Sequence, residues 1–127
     1  MIIFSSAVQA KVTDNTINVL AESEFDSNLV DSNTKWILAP FFAKPINSEQ
    51  DWNVDSSISI SEYTSAISDS TVAKESLAAL VELSNQGKTV IIACYDYNVA
   101  KSHLSTLLDI IEDLFVEQAP ELRMEGA

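Results

Sequence analysis

The feature that most constrains this chain is the run from Gly87 to Ile111, GKTVIIACYDYNVAKSHLSTLLDII. Thr89 to Tyr95 is a continuous, largely β-branched apolar stretch. A strand with one wet face alternates apolar and polar residues, whereas a strand that is apolar throughout is buried on both faces. Asp96, Tyr97 and Asn98 break the run as a polar loop. From about Val99 to Gln118, apolar residues recur at helical spacing, with Leu104, Leu107, Leu108, Ile111, Leu114 and Phe115 on one stripe. Upstream, Asp69, Ser70 and Thr71 offer capping side chains for a helix that runs to about Gln86. Ala73, Leu77, Leu80 and Val81 face inward on it, and Gly87 ends it. Helix, doubly buried strand and helix imply an α/β fold: a small, mainly parallel open sheet with flanking helices, Rossmann-like and three-layered.

The rest of the chain is less regular. Ile2 to Phe4 could open a strand. Ala7 to Val12 and Thr16 to Ala21 flank the turn-forming Thr13-Asp14-Asn15, which predicts a hairpin. Glu22 to Asn33 reads as a loop or a short irregular helix. Trp36 to Phe42 is apolar but broken by Pro40 and Pro45, so it reads as an extended connector. Asn47 to Ser57 is polar, with Trp52 as its one anchor. Residues after Ile60 read as a helix with Tyr63 and Ile67 inward. At 127 residues the chain is expected to form one domain, with 119–127 as a frayed tail.

Charge narrows the partners. The net charge is −12, from 7 basic and 19 acidic residues. Nucleic acid needs clustered Lys and Arg, so the charge balance disfavours it as a partner, and it disfavours an anionic membrane as well. The acids are spread along the chain. Their densest group, Asp109, Glu112, Asp113 and Glu117, reads as the solvated face of the last helix. No apolar run approaches the length of a membrane span, and a single cysteine allows no internal disulfide, so a cytoplasmic location is expected. Two glycines cannot build a nucleotide-binding Gly-rich loop, and the Cys and His residues are too few for a zinc finger. No cofactor or metal is implied.

Open parallel sheets bind ligands where strand C-termini meet helix N-termini. The only cysteine, Cys94, ends the central strand, and the only histidine, His103, stands in the first turns of the last helix. His103 is a candidate general base or ligand contact. On the same stripe as Leu107 and Leu114, it also reads as a hydrogen-bonded core histidine. Asp96 could orient His103 or bind a hydroxyl, or it could simply close a turn. Cys94 would need a lowered pKa to react, and in a buried strand it serves equally as a small apolar filler. Tyr95, Lys101, Ser102 and Glu22 complete the candidate ligand contacts.

The pair formed by Cys94-Tyr95-Asp96 and Ser102-His103 resembles the strand end and helix start of the domain of unknown function 488 family. Its members are small bacterial α/β proteins without an assigned activity. Trp36-Ile37-Leu38-Ala39-Pro40 is similar to that family's extended Trp and Ala-Pro segment, and Trp52, Ile60 and Tyr63 look like a later aromatic set. Val19 to Asn28 stands where the family carries a Val-Leu-Val-Asp-Arg-Leu-Trp-Pro-Arg-Gly type run. Glu22 and Phe25 match its acid and aromatic, while Ser23 and Ser27 replace its arginines. Leu104 replaces the Arg that often follows the helix histidine. The likeness spans about Ala7 to Leu114. It implies an α/β fold and a site at residues 94–103 that has lost its bidentate anion contacts. Lys101 and a helix N-terminus would remain to hold a small anion.

Three functions follow as expectations. The first is a module or degenerate enzyme that binds a small anionic or nucleotide-like ligand at 94–103. The second is an acidic interaction protein, of phage or mobile-element type, that occupies a basic protein surface. The third is an active enzyme with His103 as base and Asp96 or Glu22 as its partner.

Overall fold

A computed structural model describes residues 1–30, 36–44 and 57–125. The polar stretch from Asn47, with Trp52, lies outside the described residues, apart from Ser57, which opens a helix. The strands are β1 (Ile2–Ser6), β2 (Thr16–Leu20), β3 (Ile37–Leu38), β4 (Thr89–Cys94) and β5 (Leu122–Met124). They form one five-stranded sheet in the order β3-β2-β4-β1-β5, and every pairing is parallel. The helices are α1 (Ser57–Ser68), α2 (Thr71–Asn85) and α3 (His103–Leu114). The chain is thus an α/β protein with an open parallel sheet.

β4 takes the centre because both of its faces are apolar. Val90, Ile92 and Cys94 join Ile2, Phe4 and Val19 in the larger core, under the helices. Ile91 and Ala93 join Leu20 in a smaller cluster on the opposite face. Topology decides which connection covers which face. The steps β3 to β4 and β4 to β5 cross the sheet in one direction, and both carry helices. The steps β1 to β2 and β2 to β3 cross the other way, and neither has a helix among the described residues. Right-handed crossovers send the two sets to opposite faces. All three helices therefore pack on one side, and the other side is layered by connectors through Ala7, Ala10, Val30 and Trp36.

Local signals fix the helix ends. The Ser70 hydroxyl accepts from the Ala73 N–H at 3.1 Å and caps α2. At the other end Gly87 adopts φ +93°, a conformation that favours glycine. Its N–H donates to Ser84 O, and the Lys88 N–H donates to Leu83 O, both at 3.1 Å. α2 buries Ala73, Leu77, Leu80 and Val81 as the sequence predicts. α3 begins later than expected, because Val99–Lys101 form a 3₁₀ turn before the Ser102 cap. Leu114 is largely exposed, and Ile110 takes the buried place. Asp109, Glu112, Asp113 and Glu117 are all exposed.

Three expectations are corrected. The predicted hairpin is absent: the first strand is Ile2–Ser6, and Ala7–Val12 leaves the sheet, with the Gln9 and Ala10 N–H groups both turned back onto Ser6 O. β1 and β2 each pair with β4 and not with each other. The tail expected to fray across 119–127 contains β5, whose Leu122–Met124 covers the outer edge of β1. Ala119, at φ 46°, turns the chain from α3 towards it. In the Trp36–Phe42 connector, Ile37–Leu38 pair with β2 and Pro40–Phe42 form a 3₁₀ turn.

Candidate functional site

The site is built where the β2–β4 ladder opens. The Ala21 N–H donates to Ala93 O at 2.7 Å. The next rung of a regular parallel ladder would join the Tyr95 N–H to the Ala21 carbonyl. Instead the Tyr95 N–H donates to Glu22 Oε2 at 3.3 Å, and the Ala21 carbonyl accepts from His103 Nε2 at 2.9 Å. Two side chains thus replace one rung, and each satisfies a backbone group that separation of the strands would orphan. The connections after β2 and β4 leave towards opposite faces, so this opening is a topological switch point of the sheet.

A carbonyl only accepts, so His103 Nε2 carries the proton and Nδ1 holds the lone pair. Nδ1 lies 4.0 Å from Asp96 Oδ2, too far for a direct hydrogen bond. The His103 side chain is fully buried, and its ring packs edge-on against Tyr63 at a centroid separation of 5.7 Å. The Tyr63 hydroxyl donates to Phe42 O at 2.6 Å and ties α1 to the Pro40–Phe42 turn. Burial lowers the pKa of His103; the Ala21 carbonyl and Asp96 oppose that shift, and Lys44 adds to it. The imidazole is therefore neutral at neutral pH, and its contact with Asp96 is not an ion pair. Glu22 shifts the other way. Burial raises its pKa, the Tyr95 N–H opposes the rise, Asp96 reinforces it and Lys44 opposes it.

The remaining expected residues divide. Cys94 lies under this group, but its thiol is fully buried and burial pushes its pKa up to about 12, with the Ser102 hydroxyl offsetting part of the rise. Ser102 is occupied as the α3 cap: its Oγ donates to Val99 O at 2.7 Å and accepts from the Leu104 N–H at 3.1 Å. Tyr95 faces the other side of the sheet. Its hydroxyl accepts from the Asp26 N–H at 2.7 Å and donates to Glu24 O at 2.8 Å, bracing the loop after β2. Lys101 is exposed on its 3₁₀ turn. The structure thus gathers Glu22, Asp96 and His103, with Cys94 beneath them, and leaves Tyr95, Ser102 and Lys101 in other roles.

Sequence reasoning missed two participants. Lys44 is the lysine whose charge reaches Glu22 and His103, although Ala-Lys-Pro carries no signal for it. Tyr63, expected only as core, walls the histidine. Among the described residues no group of three or more His, Cys, Asp or Glu could hold a metal ion, and no helix is long and apolar enough to cross a membrane. Comparison with protein-family models, with curated proteins and with solved structures finds no match for this chain.

Proposed function

We propose that this chain is a non-covalent small-ligand-binding module, and that its ligand sits over Glu22 and Asp96 at the open end of the β2–β4 ladder. One observation carries the reading: the two carboxyl groups flank a strand separation at the switch point of an open parallel sheet, with neutral His103 beneath them. The Asp96 side chain is 41% exposed and supplies the accessible acceptor. Acceptors dominate here, so the favoured ligand presents hydrogen-bond donors, as a polyol or an amine does. An anion fits less well, because Ser102 already caps the α3 N-terminus and Lys101 stands apart. A buried thiol with a pKa of about 12 disfavours cysteine chemistry, and a fully buried histidine disfavours general-base catalysis. A divergent kinship with the unknown-function family is compatible with this reading and adds no ligand to it.

A thermal-shift screen of sugars, polyols, amines, nucleosides and phosphorylated metabolites tests the proposal. Stabilisation by a donor-rich compound is expected, and Asp96→Ala should abolish it. A screen without hits, or a hit that Asp96→Ala binds equally well, rejects it. A second reading, the acidic protein that occupies a basic surface, draws on Phe25 and Tyr97. These residues are 54% and 69% exposed, on the loops after β2 and β4 that also carry Glu22 and Asp96. It requires salt-sensitive association with a basic protein. Association that is unchanged by salt, or lacking at low salt, rejects that reading.

A further inference from the structure

β5 closes one edge of the sheet, and among the described residues no strand lies on its outer side. Its parallel pairing with β1 fixes which backbone groups face that edge. Glu121 O accepts from the Ile2 N–H, and the Glu125 N–H donates to Phe4 O, both at 2.8 Å, with Arg123 opposite Ile3 between them. Residues 121, 123 and 125 therefore turn their backbone groups towards β1, and Leu122 and Met124 turn theirs outward. Outward groups of this kind are a template for another strand, and proteins guard such edges with proline, lysine or a bulge. Leu122–Met124 has no proline or lysine and pairs with β1 in unbroken register.

Side chains alternate across the strand. Leu122 and Met124 pack against the larger core. Arg123 and Glu125 stand on the opposite face, about half exposed, with the guanidinium 3.6 Å from the carboxylate. Arg123 is the only arginine in a chain of net charge −12.

We infer that this edge pairs antiparallel with the same edge of a second copy, about a two-fold axis at Met124. Outward residues must face outward residues to exchange hydrogen bonds, so the axis passes through a residue and not between two. An axis at Arg123 sets Arg123 against Arg123, and one at Glu125 sets Glu125 against Glu125. An axis at Leu122 brings Met124 opposite Pro120, which has no N–H to give, and runs on to Ala119, whose φ of 46° is not extended. An axis at Met124 avoids all of these. The two Met124 residues exchange both backbone bonds, and Arg123 of each copy faces Glu125 of the other. These flanking positions are non-hydrogen-bonded pairs, where Cα atoms approach to about 4.5 Å and side chains meet. The product is one continuous sheet, with five strands from each copy.

Sedimentation of the full chain from about 5 µM to about 500 µM tests this, and a monomer–dimer equilibrium is expected. Arg123→Glu and Glu125→Arg each set like charges opposite one another twice, and each should weaken self-association at least about tenfold. Glu125→Arg also lowers the net negative charge, so its weakening separates facing charges from overall repulsion. An equimolar mixture of the two variants should associate, because every facing pair is then opposite in sign. The unaltered chain supplies a second readout: exchange of the Met124 amide should slow as protein concentration rises. A chain that stays monomeric across that range, a dimer that either single variant forms as readily as wild type, a mixture of folded variants that fails to associate, or Met124 exchange independent of concentration overturns the proposal.

Discussion

The two faces of the sheet are built from the same alternating strands, but they are closed in different ways. On one face three helices bring Tyr63, Leu77, Leu104, Leu107 and Ile111 down onto Phe4, Val19 and Ile92, and all of these side chains are buried. On the other face, among the described residues, connectors alone cover Leu20, Ile91 and Ala93, and Val8 and Leu29 are left partly in solvent. A helix satisfies its own backbone and can commit its side chains to packing. A connector must anchor its backbone to strand ends and loop carbonyls, so it stands where those bonds place it. The helical face therefore maximises burial, and the connector face leaves room.

The comparison can be broken experimentally, and the largest expected effect is at Cys94, under the helices. With its pKa at about 12 against an ordinary 9.0, its thiolate fraction near neutral pH falls about a thousandfold. Iodoacetamide should label the chain only after denaturation, as followed by mass spectrometry. Rapid native labelling would show that the helical face is open. Packing comes next. Leu107→Ala should cost about 2–5 kcal/mol in urea unfolding, because it leaves a cavity in a fully enclosed core. Leu29→Ala, at the rim of the connector face, should cost below about 1 kcal/mol. Equal losses would mean that the two faces are equally packed.

Smaller effects sharpen the comparison at the strand ends. His103→Ala orphans the Ala21 carbonyl and should cost about 1–3 kcal/mol beyond the lost packing. Its pH dependence has a definite sign. Burial holds the folded-state pKa of His103 below 6.5, so the unfolded chain protonates first. The histidine's contribution is complete above pH 6.5 and declines as pH falls through its folded pKa. The stability gap between wild type and His103→Ala should narrow across that window. Tyr95→Phe frees the Asp26 N–H and should cost about 1 kcal/mol, with faster amide exchange at Asp26, Leu29 and Val30. Glu22→Gln is the smallest. The folded state favours a protonated Glu22, so its negative charge costs stability at pH 7. Gln should stabilise the fold there, by less than about 1 kcal/mol because the carboxyl is partly solvated, and this reads as a higher melting temperature. That gain should fade as pH falls through the raised pKa towards 4.5. A gain that persists below pH 4.5 would assign the effect to something other than charge.

The same division explains what the sequence discloses. α2 is legible because Ser70, the Ala73–Leu77–Leu80 stripe and Gly87 are local signals for start, face and stop. β4 is legible because Val90 to Cys94 is apolar at every position. The expected hairpin fails for a physical reason: an apolar run and a turn do not encode pairing direction, and β1 finds its partner more than eighty residues away at β4. β5 is three residues long and is held by tertiary contacts alone: the edge of β1 that it covers, and the larger core against which Leu122 and Met124 pack. At the site, switch-point logic points to Asp96, His103 and Glu22, and the fold brings the three near one another. It cannot show that His103 spends its Nε2 proton on Ala21, 82 residues earlier, nor that Lys44 lies within electrostatic reach.

The strand order has a kinetic consequence. β1 is bordered by β4 and β5, and neither is its neighbour along the chain. Its Ile2–Phe4 edge is completed on one side by residues 90–92 and on the other by 122–124. Every pairing of this strand therefore waits for long-range loop closure, and chains dominated by such contacts fold slowly for their size. During synthesis β1 leaves the ribosome well before either partner exists. The nascent chain must carry an unpaired apolar strand until residues 90–92 emerge, so its yield in the cell should depend on temperature and on chaperone capacity more than its final stability would suggest.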